Sequence, residues 1–282
     1  MIVDIHTHIF PKTMREERQA FFGDEPAFKL LYESPKSRLV GVEDLIAVMD
    51  AQGVDRAVTF CFPWRTPDYF KAGNDYVLEA VARYPDRLIG FCCLDVTRPG
   101  AAAEVERCLR SGLAGIGELA FYCDDLGCAC ADSLEPIMAL ARNYSCPVMI
   151  HTNEPVGHLY PGKTPNTLAQ IYALVGRYPH NRLILAHWGG GLFFYNLLKK
   201  EVRQTLANVW FDTAASPFLY QPDIYARAVE LAGADKVLWG TDFPLLAPQR
   251  YFKEMQQAGL PSAEMDAVLG GNAAILLNLK EK

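Results

Sequence analysis

The sequence predicts an α/β fold, a single (β/α)8 barrel over residues 1–282 with a long loop after the first strand and a C-terminal helix. Three observations predict it. Short apolar runs alternate with longer helical patterns along the whole chain, and such alternation argues a parallel sheet. Eight rounds can be counted, which argues closure into a TIM barrel rather than an open sheet. The length of 282 residues suits one barrel of about 250 residues, and no linker divides it.

The candidate strands are Ile2–His6, Ala57–Phe62, Leu88–Leu94, Gly115–Leu119, Pro147–His151, Leu183–His187, Val209–Asp212 and Val237–Gly240. Several are almost continuously apolar, as strands buried on both faces should be. Helical patterns fill the gaps. Glu43–Gln52 repeats apolar residues at Leu45, Ile46, Val48 and Met49, with Gly53 as its C-cap. Asn74 is a candidate cap for a helix running to Arg83. Glu104–Leu109, Ser133–Asn143, Thr167–Tyr178 and Asp223–Leu231 follow the same pattern. Proline or glycine stops these helices at the barrel bottom, as in Arg83-Tyr84-Pro85 and Gly233-Ala234-Asp235. The segment from Pro11 to Val42 is too long for a plain connection, so it is either a lid or carries short structure of its own.

Half the residues are apolar and the net charge is −6. No basic stripe is present, which argues against nucleic acid as a partner. Met1 leads directly into an apolar strand, so no secretory leader is expected, and the most apolar stretch, Leu183 to Leu198, holds His187 and three glycines and is not expected to span a membrane. Cys61, Cys92, Cys93 and Cys146 lie in apolar segments and read as reduced core thiols of a cytoplasmic protein.

The chemistry concentrates at strand ends. His6 and His8 end strand one, His151 strand five and His187 strand six; Asp242 follows strand eight. Residues two apart on a strand share a face, and barrel active sites form at the C-terminal ends of the strands. Four of the six histidines therefore converge on one predicted face. Imidazole and carboxylate are standard ligands of a catalytic divalent metal, zinc first. Glu118 ends strand four and is either a metal ligand or a residue that orients a histidine or binds substrate.

This order of residues resembles the amidohydrolase superfamily, in its amidohydrolase-related branch, which includes metal-dependent hydrolases and decarboxylases. The resemblance runs from Asp4-Ile5-His6-Thr7-His8 through Ala186-His187-Trp188-Gly189-Gly190 and Gly240-Thr241-Asp242-Phe243-Pro244 to Gly270-Gly271-Asn272. It implies that His6, His8, His151 and Asp242 hold one metal, usually zinc, with His187 beside the reacting water or on a second metal. Glu118 departs from the usual pattern of this branch. In other members of the superfamily a glutamate there bridges two metals.

Candidate substrate contacts come from the top-face loops. Arg65 either clamps a substrate carboxylate or pairs with Asp68. Tyr122, Trp188 and Phe243 are candidate apolar walls. Cys123, Cys128 and Cys130, beside Asp124 and Asp125, complete no recognisable closed metal site and read as loop thiols. His158 reads as solvated and His180 as structural. The leading reading is hydrolysis of a small ester, lactone or amide by metal-activated hydroxide, with Asp242 and His187 as catalytic residues. The alternative is metal-dependent decarboxylation of an unsaturated carboxylic acid. A non-catalytic metal- or ligand-binding barrel ranks below both. The partner is a small molecule in every case, and a homodimer is compatible with the sequence.

Overall fold

The computed structural model describes residues 1–122 and 128–280. Cys123, Asp124 and Asp125, and the side chains of Cys128 and Cys130, lie outside that description. Among the described residues, eight strands form one sheet, pairing in sequence order and all in parallel. They are β1 (Val3–His8), β2 (Arg56–Phe60), β3 (Leu88–Cys92), β4 (Gly115–Leu119), β5 (Val148–Ile150), β6 (Leu183–Leu185), β7 (Val209–Asp212) and β8 (Val237–Leu238). The sheet closes on itself: Ile5 N donates to Trp239 O, Asp242 N to His6 O, and His8 N to Phe243 O. The expected barrel is thus formed. Several predicted strands prove a residue or more shorter at their C-terminal ends, because those residues leave the ladder to build the top face.

The alternation of strand side chains divides the core into two layers. Val3, Ile5, Val58, Phe60, Ile89, Phe91, Met149, Ile184 and Leu238 fill the barrel interior, joined by Ala273 and Leu276 of the C-terminal helix Asn272–Leu276. The opposite faces, including Ala57, Leu88, Ile116, Val148, Leu183 and Val209, pack beneath the helices. The larger helices are Val42–Gln52, Pro67–Arg83, Ala101–Arg110, Cys128–Asn143, Leu168–Arg177, Ile224–Ala232 and Pro248–Gln257. Gly53 ends the first of these at φ 71, the left-handed C-cap its sequence predicts. Thr167 caps Leu168–Arg177, accepting from Gln170 N. None of these helices is long and apolar enough to cross a membrane.

Asn74 corrects one expectation. The helix begins at Pro67, so Asn74 lies inside it and caps nothing. It is buried, donating to Glu104 Oε1 and accepting from Cys93 N. The helix N-terminus is instead served from the segment after β1. That segment holds short helices at Lys12–Glu16 and Pro26–Tyr32 and a 3-10 turn at Arg18–Phe21. The fully buried carboxylate of Glu25 accepts from Arg65 N and Thr66 N there. Cys61, Cys92, Cys93, Cys108 and Cys146 are free, buried thiols, in keeping with the core role read from sequence.

Candidate metal centre

Two β-bulges aim the site. Val3 and Ile5 face the barrel interior, so simple alternation would send His6 and His8 outward among the helices. Between Asp4 and Thr7, however, β1 advances three residues against two on β2 (Ala57 to Thr59). The extra residue turns both imidazoles inward. The same irregularity recurs on β4 between Ile116 and Leu119, opposite Val148 and Ile150 of β5, and places Glu118 on the same inner face. The Asp4 carboxylate braces the first bulge, accepting from His6 N, Thr241 N and Thr241 Oγ1 and so fastening β1 to the segment after β8. Burial pushes its pKa up to about 7 in spite of those bonds.

His187 is placed by a different device. Five consecutive residues, His187 to Gly191, have left-handed backbones with φ between 54 and 93. This coil turns the chain sharply off β6. At Gly190 a side chain would collide with the carbonyl oxygen of Asn153, so glycine alone fits. His187 and Trp188 adopt φ of 54 and 62 without that freedom, and the Asp212 carboxylate, accepting from His187 N at 2.8 Å, holds the turn in place.

Each of the four histidines is anchored through one ring nitrogen. His6 Nδ1 lies 2.8 Å from Asp212 Oδ2, His8 Nδ1 2.9 Å from Cys61 O, His187 Nδ1 3.0 Å from Ala214 O, and His151 Nε2 2.9 Å from Gly162 O. Carboxylate and carbonyl oxygens only accept, so each anchored nitrogen carries the proton. The opposite nitrogens, His6 Nε2, His8 Nε2, His187 Nε2 and His151 Nδ1, turn toward two carboxylates. Glu118 lies 3.6 Å from His6 Nε2, 2.9 Å from His151 Nδ1 and 3.3 Å from His187 Nε2. Asp242 lies 3.3 Å from His8 Nε2 and 3.7 Å from His6 Nε2. His6 Nε2 is buried with no hydrogen-bond partner.

Four ring nitrogens and two carboxylates facing one small space suit a cation. Three overlapping groups, His6–His8–Glu118, His6–His187–Asp242 and Glu118–His151–His187, each bring ligand atoms within 4.8 Å of one another. Donors bound at 2.0–2.2 Å to a tetrahedral ion stand roughly 3.3 Å apart, close to most of the observed separations. The electrostatics agree. Burial works against charge on His6 and His187, yet Glu118 and its neighbours outweigh it. His6 is held well above the ordinary imidazole value and His187 is pushed up to about 9. Burial likewise raises Glu118 and Asp242, yet the surrounding histidines outweigh it and hold both carboxylates below their usual range.

Aromatic rings wall the site. From His8 the rings run through Phe10 (6.5 Å between centroids), Tyr32 (5.5 Å), Phe62 (6.0 Å) and Tyr122 (6.1 Å, 5° from parallel) to His151 (5.3 Å). This arc starts and ends on candidate ligands. Of the predicted substrate contacts, only Tyr122 stands on it. Trp188 is fully buried among Phe193 and Tyr225, with its Nε1 donating to Ser216 Oγ, because the left-handed turn carries it away from the mouth. Phe243 is buried, its carbonyl closing the barrel. Arg65 pairs with Asp95 at 3.5 Å, not with Asp68. Asp212, Tyr32 and Phe62 are site residues the sequence reading missed. The acid ending the apolar run Val209-Trp210-Phe211 was the one available signal for Asp212.

Known proteins share this architecture. The solved structure of a 5-carboxyvanillate decarboxylase from Novosphingobium aromaticivorans, complexed with manganese and 4-hydroxy-3-methoxy-5-nitrobenzoic acid, superposes with a TM-score of 0.79 at 18% identity, covering 99% of this chain and 96% of its own. A dihydroxybenzoic acid decarboxylase from Polaromonas sp. JS666, with bound manganese and the inhibitor 2-nitroresorcinol, gives a TM-score of 0.73 at 20% identity, over 100% and 98%. In sequence, the gamma-resorcylate decarboxylase of Polaromonas sp. is 22% identical over 295 residues, covering 86% of this chain and 90% of the relative. Residues 3–279 match the amidohydrolase family from end to end, and with the strand-end histidines and Asp242 in place the chain belongs to that family of enzymes.

Proposed function

We propose that this enzyme is a metal-dependent decarboxylase of a small aromatic or otherwise unsaturated carboxylic acid. The observation that carries this reading is the arc of rings running from His8 to His151 through Tyr32, Phe62 and Tyr122. It lines one side of the histidine–carboxylate cluster with aromatic rings, which suits a planar conjugated acid. The decarboxylase relatives support the same substrate class over the ester, lactone or amide that the strand-end residues alone suggest.

His6, His8, His151 and Asp242 would hold a divalent metal, zinc or manganese, with Glu118 completing the set. When bound, that ion would supply positive charge to the substrate's oxygens, fixing the acid in place and holding it as its anion. Tyr32, Phe62 and Tyr122 hold the ring and exclude water. His187, with its Nδ1 anchored to Ala214 O, can carry a proton on Nε2 beside Glu118. It delivers that proton to the carbon bearing the carboxylate. The C–C bond then breaks, its electron pair restores the conjugated system, and CO2 leaves. Removing such a proton carrier costs about 100- to 10,000-fold in rate.

Hydrolysis remains as the second reading because Glu118 reaches His6 on one side and His151 and His187 on the other, so that it would be available to a second ion as well as a first. There Asp242 would take the proton of the attacking water. Metal content per chain, measured on the wild type and on Glu118→Gln, tests for that second ion. One ion in both proteins removes the bridged pair and leaves decarboxylation and one-metal hydrolysis to be separated by their products. Two ions falling to one in the variant support the bridged pair and hydrolysis. No ion in either, even with zinc or manganese added, removes the basis of both.

A further inference from the structure

His6, His8 and His187 take their anchors from the barrel itself: Asp212 and Ala214 at the end of β7 and Cys61 at the end of β2. His151 differs. Its anchor is the carbonyl of Gly162, eleven residues further on in the loop between β5 and the helix Leu168–Arg177. With Glu118 Oε1 2.9 Å from its Nδ1, the proton on Nε2 of this histidine depends on how that loop is held.

The loop is held by an internal clamp. Lys163 Nζ donates to Glu154 Oε1 (2.8 Å) and to Val156 O (2.7 Å), and Tyr160 OH donates to Glu154 Oε2 (2.6 Å). Both Glu154 oxygens are thus engaged. The ammonium side chain is only 9% exposed and the carboxylate 16%, so this is a shielded pair rather than a surface contact. Lys163 N also donates to Tyr160 O, which ties the residues on either side of Gly162 together. On the other flank, Thr164 N and Oγ1 both donate to Asn153 Oδ1.

We infer that Glu154 and Lys163 are positioning residues for His151: their ion pair holds the Gly162 carbonyl on His151 Nε2, so that Nδ1 faces the metal. The inference rests on the proposed metal centre, but the hydrogen bond itself exists with or without an ion. Among the described residues, neither is hydrogen-bonded or ion-paired to the substrate wall or the ligand atoms. Loss of the clamp releases the carbonyl and leaves His151 held only through Nδ1 by Glu118, so that its proton can move from Nε2 to Nδ1. Loss of such an outer partner typically weakens metal binding about 10- to 100-fold.

The test uses the full chain labelled with 15N-histidine, which is tractable because the sequence holds six histidines. The His151 Nε2–H proton is followed in metal-free and zinc-loaded protein, and the zinc dissociation constant is measured by chelator competition. In the wild type this proton exchanges slowly in both states. In Lys163→Met and, independently, Glu154→Gln it is lost to solvent exchange, and zinc binds 10- to 100-fold more weakly. Lys163→Arg restores both. Gly162→Ala leaves both intact, because a methyl group there meets only the Tyr160 ring at ordinary contact distance, 3.6 Å. A slowly exchanging proton and unchanged zinc affinity in both clamp variants would overturn the inference, as would a rapidly exchanging proton in the wild type. Failure of the wild type to bind zinc, with the slow proton present and lost in the variants, would instead overturn the metal reading and leave the clamp standing.

Discussion

Asp212→Asn changes one atom and should reverse one tautomer. Asp212 is fully buried. Its Oδ1 accepts from His187 N (2.8 Å) and Ala214 N (3.0 Å), while its Oδ2 faces His6 Nδ1 (2.8 Å). An asparagine has one acceptor oxygen and one donor nitrogen. Two backbone N–H groups demand the oxygen, so the amide nitrogen is left facing His6. His6 Nδ1 must then accept, its proton moves to Nε2, and the lone pair aimed at the metal is gone. Outer-shell losses typically cost 10- to 100-fold in metal affinity. A reversed tautomer belongs at the upper end, about 100-fold, or about 2.7 kcal/mol at 1.36 kcal/mol per tenfold. The fold should survive, because both backbone hydrogen bonds do. Competition against a chelator of known affinity measures the shift, with circular dichroism as the check on folding. A folded variant that binds zinc or manganese within twofold of the wild type would refute the tautomer argument.

Other perturbations have equally definite outcomes. Gly190→Ala places a methyl group against Asn153 O on a backbone with φ 63, and urea denaturation should show a loss of about 2–4 kcal/mol. Stripping the metal should lower the Tm, because an ion that binds only the folded state stabilises it; an unchanged melting curve after dialysis against chelator would contradict this. Burial works against charge on Glu104, but its bonds to Arg107 and Asn74 outweigh it and hold the carboxyl below its ordinary value. A depressed folded pKa stabilises the protein above the unfolded value of about 4.3 and loses that stabilisation as pH falls through the folded value. Glu104→Gln should therefore be less stable by about 1–3 kcal/mol at pH 7 and show a flatter acid limb; parallel curves across that range would count against the assignment.

The barrel and most of its centre could be read from sequence because both are encoded in strand ends. Apolar runs closing on His6, His8, Glu118, His151 and His187 place chemistry at one rim, and Asp242 completes it. What was illegible depends on backbone geometry. With Val3 and Ile5 inward, pattern alone sends His6 and His8 to the wrong face, and only the bulge opposite Ala57–Thr59 corrects it. The left-handed run from His187 to Gly191 has no periodic signature, so Trp188 reads as a pocket wall when it is core. Asn74 looks like a cap because the helix start at Pro67 lies seven residues earlier. Tyr32 reaches the site from a helix deep in an insertion, a placement fixed by tertiary packing on Phe28 and Phe62 rather than by local pattern.

The proposed reaction releases CO2. Its most direct test is CO2 release from a panel of hydroxybenzoic acids by the zinc- or manganese-loaded enzyme, with esters, lactones and amides assayed alongside. Decarboxylation of at least one acid, abolished by chelation and reduced at least 100-fold in His187→Gln, is the predicted result. Metal-dependent hydrolysis of an ester, lactone or amide with no CO2 released from any acid would contradict it.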